Sequence, residues 1–342
     1  MSTWSTKAPV VRVSAPVRVD RSGATGPTKG QAEGPLWRRT SSGFYVPAHV
    51  SDELVEQRIV EQGSRLREGA VTGWAALRLL RGGYFDGLAS DGRTSLPVQV
   101  AANGDRLRSE DGLAVHRVEI DEEDVVIRYG VRCAAPERAL FDAVRWSEDL
   151  VERVTAIDMA AAAEISSPAR LRAFALAHRG TRGRMLVLEA LSWASERAES
   201  PQEVRLRMIW RRRFSATRPE VNRVILDDAG RRLGKPDLVD PDLEMGAEFD
   251  GAEHRARARH RRDVRRLDDF LRAGLEIAVF VGADLDDEDL VVDRLQATRA
   301  RAGRVPRRWK LAPPGRSLDE RLDERDRMIA FHETSPGHTT YL

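Results

Sequence analysis

The sequence predicts two domains, an α+β domain over residues 36–199 and an α/β domain over residues 200–303. Three observations carry this prediction. The 342 residues are enough for two domains that each bury a core. Strand-like segments precede a run of helical segments in the first region. Helical and strand periodicities alternate as αβββαβα in the second.

The composition excludes several functional classes. Lys and Arg total 56 against 54 Asp and Glu, so attraction to nucleic acid depends on local clusters and not on net charge. Cys133 is the only cysteine, which excludes an internal disulfide or a Cys-rich zinc site. No apolar run approaches the roughly eighteen residues that span a bilayer, and no secretory signal is evident. We therefore expect a cytoplasmic protein without a membrane partner.

Residues 1–35 are rich in Ser, Thr, Gly and Pro, carry scattered basic residues and show no sustained period. This composition predicts a disordered basic tail. Its charges can contact DNA phosphates, although a solvated tail is the more common meaning of such a segment.

The first domain begins near Leu36. Alternating apolar residues predict β segments at 44–46, 97–101, 114–120 and 124–133, and helical spacing predicts helices at 70–80, from Pro136, and around 150–162, 168–178 and 185–198. This is an α+β pattern.

The second domain begins with the cap motif Ser200-Pro201-Gln202-Glu203, which starts a helix. Strands are predicted at 221–226, 233–239 and 244–249, then a helix over 256–273 that ends at Gly274, a strand at 276–281 and a helix at 290–300. Residues 304–342 form a C-terminal extension.

Acidic residues lie on two neighbouring predicted strands. Asp237 is on the second strand and Glu248 on the third, eleven positions later with a tight turn between them. Asp250 shares a face with Glu248 if the third strand continues that far. Crowded carboxylates repel one another, and a hard divalent cation relieves the repulsion through oxygen ligands. We expect Mg²⁺ at this position.

Four sequence blocks resemble a known family: Gly234-Lys235-Pro236-Asp237, Ala247 to His254, Arg262 to Leu267, and Ala273-Gly274. Together they resemble the Vsr-like (very-short-patch-repair-like) branch of the PD-(D/E)XK nuclease superfamily. The resemblance covers about 100 residues, 200–303. It implies a restriction-endonuclease-like core and Mg²⁺-dependent hydrolysis of DNA.

The resemblance implies a role for five residues. Asp237 corresponds to the motif aspartate, Glu248 to the acidic position after the turn, and Glu203 to the glutamate of the first helix. His254 falls near the place of a catalytic histidine. Asp250 stands where the superfamily usually has lysine, so the general base stays open.

Four of these residues also have a simpler interpretation. Glu203 can serve only as a helix cap. Pro236-Asp237 and Asp250-Gly251 can be turn dipeptides. His254 can simply begin the following helix.

The helix predicted after the third strand is rich in arginine. We expect Arg259, Arg262 and Arg266 to bind phosphates of a nucleic acid, since guanidinium groups contact phosphate oxygens in pairs. A solvated face is the equal alternative in a chain that uses arginine throughout.

The first domain carries a weaker resemblance. Trp37 to Pro47, Ala70 to Leu77 and Pro136 to Asp142 resemble the wing and following body of AbiEi-type antitoxin proteins. The helices that precede such a wing are not evident here.

Two functions follow from the patterns of both domains: a Mg²⁺-dependent DNA endonuclease, or a non-catalytic DNA-binding or antitoxin-like regulator that retains a nuclease fold. RNA is an alternative substrate.

Overall fold

The computed structural model describes residues 5–89, 91–250 and 257–334, with side-chain contacts for 5–89, 91–250 and 265–331. The predicted site residue His254 lies outside this range. Arg259 and Arg262 are described only as backbone.

The elements before residue 200 are strands β1 (Val17–Arg18), β2 (Trp37–Ser41), β3 (Phe44–Pro47), β4 (Ala70–Val71), β5 (Val98–Ala101), β6 (Leu113–His116), β7 (Val125–Arg128) and β8 (Val131–Ala134), with helices α1 (Lys29–Ala32), α2 (Val55–Gly63), α3 (Gly73–Leu79), α4 (Pro136–Trp146), α5 (Leu150–Ala162), α6 (Pro168–Ala177) and α7 (Arg184–Leu191).

The later elements are α8 (Pro201–Ile209), which continues as a π-helical turn over Trp210–Phe214, strands β9 (Glu220–Val221), β10 (Ile225–Asp227), β11 (Arg232–Gly234), β12 (Leu238–Asp240), β13 (Met245–Asp250), β14 (Glu276–Val281) and β15 (Trp309–Leu311), and helices α9 (Arg257–Arg272), α10 (Glu288–Arg299) and α11 (Leu318–Thr334). The chain is a mixed α+β protein. No helix in the described ranges combines the length and apolar character needed to cross a bilayer.

The chain divides into two compact units. The first comprises Met1–Glu148 and Ala163–Glu189, and the second comprises Asp149–Ala162 and Ala190–Leu342. Helix α5 belongs to the second unit because it packs on α8. The division therefore crosses the chain in three places and does not follow the single predicted boundary at residue 199.

The first unit is built on a five-stranded sheet of order β6-β5-β4-β8-β7. Helices α2 and α3 pack on this sheet, and α4 packs on α3. Its interior holds Asp142, which is fully buried and accepts a hydrogen bond from Thr72 Oγ1 at 2.6 Å. Arg138 and Arg145 on the same helix pair with this carboxylate. Such a buried charge is tolerated because several donors satisfy it.

The predicted disordered tail is wrong for residues 5–35. Strand β1 pairs with β3 through Val17 and Tyr45, which extends the β2–β3 hairpin to three strands. Ala8 is buried, and its N–H donates to the Arg81 carbonyl at 2.7 Å. These contacts come from isolated apolar residues without a period, so a pattern search does not detect them.

In the second unit, each of the first two predicted strands is divided between two sheets. The segment 221–226 becomes β9 and β10, and the segment 233–239 becomes β11 and β12. One sheet has the order β14-β13-β12-β9 and the other β11-β10-β15. The first division falls at Asn222, which has φ 49°, a conformation that a β-strand does not continue. The second falls at Pro236, which lacks a backbone donor.

A shared core lies behind these sheets. Its buried members are Ile225, Val239, Phe270, Ala273, Leu275 and Trp309. The part of the predicted C-terminal extension from 309 to 331 belongs to the second unit: β15 pairs with β10, and Leu318 and Leu322 of α11 are buried against Ala161. Apolar burial of this kind is the main stabilising contribution in such a unit.

Candidate carboxylate site

The register of β12 and β13 brings Asp237 and Glu248 together. Leu238 pairs with Ala247 in this antiparallel ladder, so the residue before Leu238 faces the residue after Ala247. Asp237 lies in the bend before β12 and not on the strand as predicted. Its Oδ2 accepts a hydrogen bond from the Phe249 N–H at 2.7 Å, which ties the bend to β13.

Asp237 lies in an environment that disfavours its negative charge. Burial raises the pKa of its carboxyl to about 7, and the charges of Glu203 and Glu248 contribute to the rise. The Phe249 N–H and the Arg266 guanidinium act in the opposite direction. Glu203 and Glu248 therefore both act on the Asp237 carboxyl, and the resemblance implies Glu203 as a member of this site.

Glu203 occupies the third position of α8 and is 8% exposed. Its Oε1 accepts from the Ser200 hydroxyl at 2.9 Å, and its Oε2 accepts from the Glu199 N–H at 2.8 Å and from Asn222 Nδ2 at 2.6 Å. Burial raises the pKa of Glu203 against these hydrogen bonds. Its capping role is visible, and it also belongs to the carboxylate cluster through its effect on Asp237.

Glu248 lies on β13, is 7% exposed and forms a two-point ion pair with Arg266. Arg266 Nη1 donates to Oε1 at 2.9 Å and Nη2 donates to Oε2 at 3.0 Å. The stem of Arg266 passes over Gly234, where a Cβ would lie 3.0 Å from Arg266 Cδ. The expectation that Arg266 binds a phosphate thus differs from the structure, in which its guanidinium binds a carboxylate. Charge-assisted pairs of this geometry are among the stronger polar contacts.

Asp250 is the last residue of β13 and pairs in register with Val281 of the parallel strand β14. The strand does continue through Asp250, so Asp250 and Glu248 point to the same face. The turn interpretation of Asp250-Gly251 concerns Gly251, which lies outside the described residues.

The structure describes no side chain for the remaining predicted site residues. His254 lies outside the described range, and Arg259 and Arg262 are placed in α9 by their backbone alone. Helix α9 connects β13 to β14, which are parallel neighbours. All three residues stay candidates on sequence grounds.

The carboxylate oxygens of the site are suitable ligands for a hard cation, but their hydrogen bonds and ion pairs restrict how they could bind one. In the described part of the chain, no group of three or more His, Cys, Asp or Glu residues is arranged to hold a metal ion. Glu203 directs both oxygens to hydrogen-bond donors, and Glu248 directs both to Arg266. Asp237 and Glu248 together fit Mg²⁺ by oxygen chemistry and charge, provided that Arg266 releases Glu248.

Asn222 is a site residue that sequence reasoning missed. Its N–H donates to the Asp237 carbonyl at 2.9 Å, and its side-chain amide donates to Glu203 and to the Arg197 carbonyl. It thereby connects the bend that holds Asp237 with the start of α8. An asparagine between two apolar strand segments is a weak signal for the left-handed conformation found here.

No family model, curated protein or solved structure matches the chain.

Proposed function

We propose that the second unit is a Mg²⁺-dependent endonuclease that hydrolyses phosphodiester bonds of DNA. The observation that carries the proposal is the β12–β13 register, in which Leu238 pairs with Ala247 and which brings Asp237 next to Glu248. Burial, with a contribution from the negative charges of Glu203 and Glu248, raises the pKa of Asp237 to about 7, and a divalent cation bound to these oxygens would favour the ionised carboxylates.

The arrangement of elements supports a PD-(D/E)XK-like, Vsr-like core of order αβββαβα. Helix α8 precedes the β9, β12 and β13 strands, which pair antiparallel in sequence, and β14 joins β13 in parallel after α9. Helix α10 then packs on β14. The short β10–β11 hairpin lies between β9 and β12, which are the first two strands of that order.

In the proposed reaction Asp237 and Glu248 would hold the cation, which supplies positive charge to the phosphate oxygens as negative charge develops. Asp250 provides no cation at the usual lysine position. Arg266 offers a positive charge beside Glu248 instead, and on release from Glu248 it can contact a phosphate oxygen. His254 is the proposed general base on sequence grounds.

A non-catalytic DNA-binding or antitoxin-like regulator is the second candidate. The observation that favours it is the Arg266 pair, which already neutralises Glu248 without a metal. A nuclease fold that has replaced its metal by an internal cation would keep this pair permanently. The AbiEi-like segments of the first unit agree with that function.

Plasmid nicking by the full chain, with Mg²⁺ and with EDTA, separates the two candidates. We expect Mg²⁺-dependent nicking that Asp237→Asn and Glu248→Gln each abolish, because each removes a charged oxygen ligand. Asp242→Asn, at an exposed carboxylate in the β12–β13 turn, is the matched control and should nick normally. Nicking that is unchanged in both site variants rejects the assignment, and absence of nicking in the wild type favours the regulator. A parallel RNA substrate tests the alternative polymer.

A further inference from the structure

A cavity of about 280 Å³ in the second unit is lined by arginines that the proposed hydrolysis does not use. Arg197, Arg207, Arg211 and Arg218 contribute to its wall. They come from three short segments, namely the approach to α8, α8 with its π-helical turn, and the loop before β9. Glu196 and Glu220 line the same cavity, so the four arginines exceed the lining carboxylates by two charges.

The carboxylates at this cavity offset only part of its positive charge. Glu220 pairs with Arg223 at 2.8 Å, and Glu196 accepts a hydrogen bond from the Leu318 N–H at 3.2 Å. Asp158 pairs with Arg207 alone. In the part of the chain with described side chains, the other three lining arginines form no ion pair.

Arg207 is the buried member of the cluster and is 2% exposed. Its Nη2 donates to Asp158 Oδ2 at 2.5 Å and to the Trp193 carbonyl at 3.2 Å. Its Nε and Nη1 are buried and have no hydrogen-bond partner among the described residues. Because the protein encloses these two nitrogens, Arg207 contributes its charge and its fixed position to the cavity wall, and the more exposed arginines supply the donors.

Arg211 is held rigidly at the same cavity. Its guanidinium lies over the Trp193 ring at 4.1 Å and donates to the Ser192 and Trp193 carbonyls. Burial, followed by the charges of Arg218 and Arg207, lowers the pKa of Arg211 to about 10. Asp158 pairs with Arg207, and no carboxylate among the described side chains pairs with Arg211 or Arg218, whereas a bound anion would offset their charges.

We propose that this cavity binds a phosphomonoester group, carried by a mononucleotide or by the phosphorylated end of a nucleic-acid strand. Guanidinium groups bind phosphate oxygens in pairs, and Arg211 and Arg218 present guanidinium groups at the cavity wall without a carboxylate partner among the described side chains. A monoester carries about −1.5 to −2 charge at neutral pH, and a diester carries only one negative charge. The monoester therefore compensates the three unpaired arginines better.

The cavity adjoins the carboxylate site through Asn222, whose amide donates both to Glu203 and to the Arg197 carbonyl. A strand end held by the arginines would therefore lie beside the Glu203 end of the carboxylate cluster. The inference goes beyond the proposed hydrolysis and does not depend on it, because phosphate binding requires none of the three carboxylates.

Binding of a labelled short single-stranded DNA to the full chain in EDTA tests the proposal. The 5′-phosphorylated strand should bind at least about tenfold more tightly than the 5′-hydroxyl strand, the usual scale of a lost charge-assisted contact. Inorganic phosphate should compete. Competition by adenosine 5′-monophosphate at similar concentration to the unlabelled phosphorylated strand identifies a mononucleotide site, and competition by adenosine 5′-monophosphate that is as weak as that by inorganic phosphate identifies a strand-end site.

The double variant Arg211→Gln, Arg218→Gln should remove the preference for the phosphorylated strand. Arg212→Gln, an exposed neighbour on the same helical turn that does not line the cavity, should keep it. If the double variant does not fold, Arg218→Gln alone decides, because Arg218 is exposed and its one described hydrogen bond goes to the Ser192 carbonyl. Equal binding of the two strands, or a preference that survives in the folded variant, overturns the proposal. Phosphate binding without plasmid nicking rejects the nuclease proposal alone.

Discussion

Arg266 donates hydrogen bonds to both carboxylate oxygens of Glu248, with Nη1 at 2.9 Å from Oε1 and Nη2 at 3.0 Å from Oε2. The pair joins the middle of α9 to β13 across 18 positions of the sequence. A residue expected to bind the substrate is thus the counter-ion of a residue expected to bind the metal. Any cation that uses Glu248 must compete with this guanidinium.

Replacing Arg266 should reveal that competition. Arg266→Gln frees the Glu248 oxygens, so we expect Mg²⁺ to bind more tightly to the variant than to the wild type. Without metal the variant should be less stable by about 2 kcal/mol, because a buried carboxylate loses its partner while the 29% exposure of the arginine limits the loss. Urea denaturation in EDTA and in Mg²⁺ measures both effects.

Arg272→Gln is the control for this change, since Arg272 is exposed on the last turn of the same helix. It should alter neither the stability nor its response to Mg²⁺. A stabilisation by Mg²⁺ that is weaker in Arg266→Gln than in the wild type would show that the arginine assists the cation and does not compete with it.

The pKa of Asp237 predicts a pH dependence of stability. Folding raises this pKa from 3.8 to about 7, so the folded chain binds the proton more tightly than the unfolded chain. The free energy of unfolding should therefore decline as pH rises between these values, by at most about 1.4 kcal/mol per pH unit, and level off above the folded pKa. Asp237→Asn removes this contribution.

The measurement is the difference in urea stability between wild type and Asp237→Asn at about pH 5 and about pH 8. The free energy of unfolding of the variant, relative to that of the wild type, should increase as pH rises. Saturating Mg²⁺ should oppose that gain, since a cation favours the ionised carboxylate. A difference that does not change with pH contradicts the environment described for Asp237.

Glu203 should influence Asp237 more than it influences cleavage. Glu203→Gln removes one negative charge, so the pKa of Asp237 should fall and the pH at which stability levels off should fall with it. Nicking should decrease less than in Asp237→Asn, because both Glu203 oxygens are engaged in hydrogen bonds. The pH series above, repeated in this background, measures the shift.

Ser200→Ala provides the matched control. It removes the cap of α8 without changing charge, at a loss of about 1 kcal/mol in the free energy of unfolding. Because the variant keeps the Glu203 charge and loses only the hydroxyl that donates to Oε1, the pH profile should move less than in Glu203→Gln. If Ser200→Ala moves the profile as much as Glu203→Gln, the effect of Glu203 on Asp237 is structural and not electrostatic.

Local patterns predicted the pairing of Asp237 with Glu248 because a short turn between two apolar segments restricts the register. The same patterns do not predict that the two predicted strands are interrupted at Asn222 and at Pro236. Each interruption depends on the second sheet, in which β10 pairs with the distant strand β15. The Arg266 pair was missed for a related reason. Arg266 lies on a helix rich in arginine, and nothing in the neighbouring sequence indicates which of these arginines has a partner. The partner of Arg266 is supplied by a distant strand.

The arginine cavity was beyond sequence reasoning for the same physical cause. Its parts are separated along the chain: Asp158 lies on α5, Trp193 lies before α8, and Arg218 lies after it. Only the packing of α5 on α8 brings the carboxylate to Arg207. Non-local packing also explains why α5 belongs to the second unit.

The Asp158–Arg207 pair should be the most damaging contact to break in the second unit. Both side chains are buried, and burial raises the pKa of Asp158 to about 6 even with Arg207 beside it. Arg207→Met removes the two contributions of Arg207 that lower this pKa, so it should rise further. At about pH 8 the variant must either bury an unpaired carboxylate or take up a proton, and we expect a loss of about 3–5 kcal/mol in the free energy of unfolding.

At about pH 5 the loss should be smaller, because Asp158 is then largely protonated in the folded variant and the charge that Arg207 compensated is absent. The double variant Asp158→Asn, Arg207→Met removes both charges, so it should be more stable than Arg207→Met at the higher pH. Arg212→Met, exposed on the adjacent helical turn, should change little at either pH. Urea denaturation of the four proteins at both pH values gives the comparison. An equal loss at both pH values would mean that the packing of the arginine stem, and not the Asp158 charge, stabilises the contact of α5 with α8.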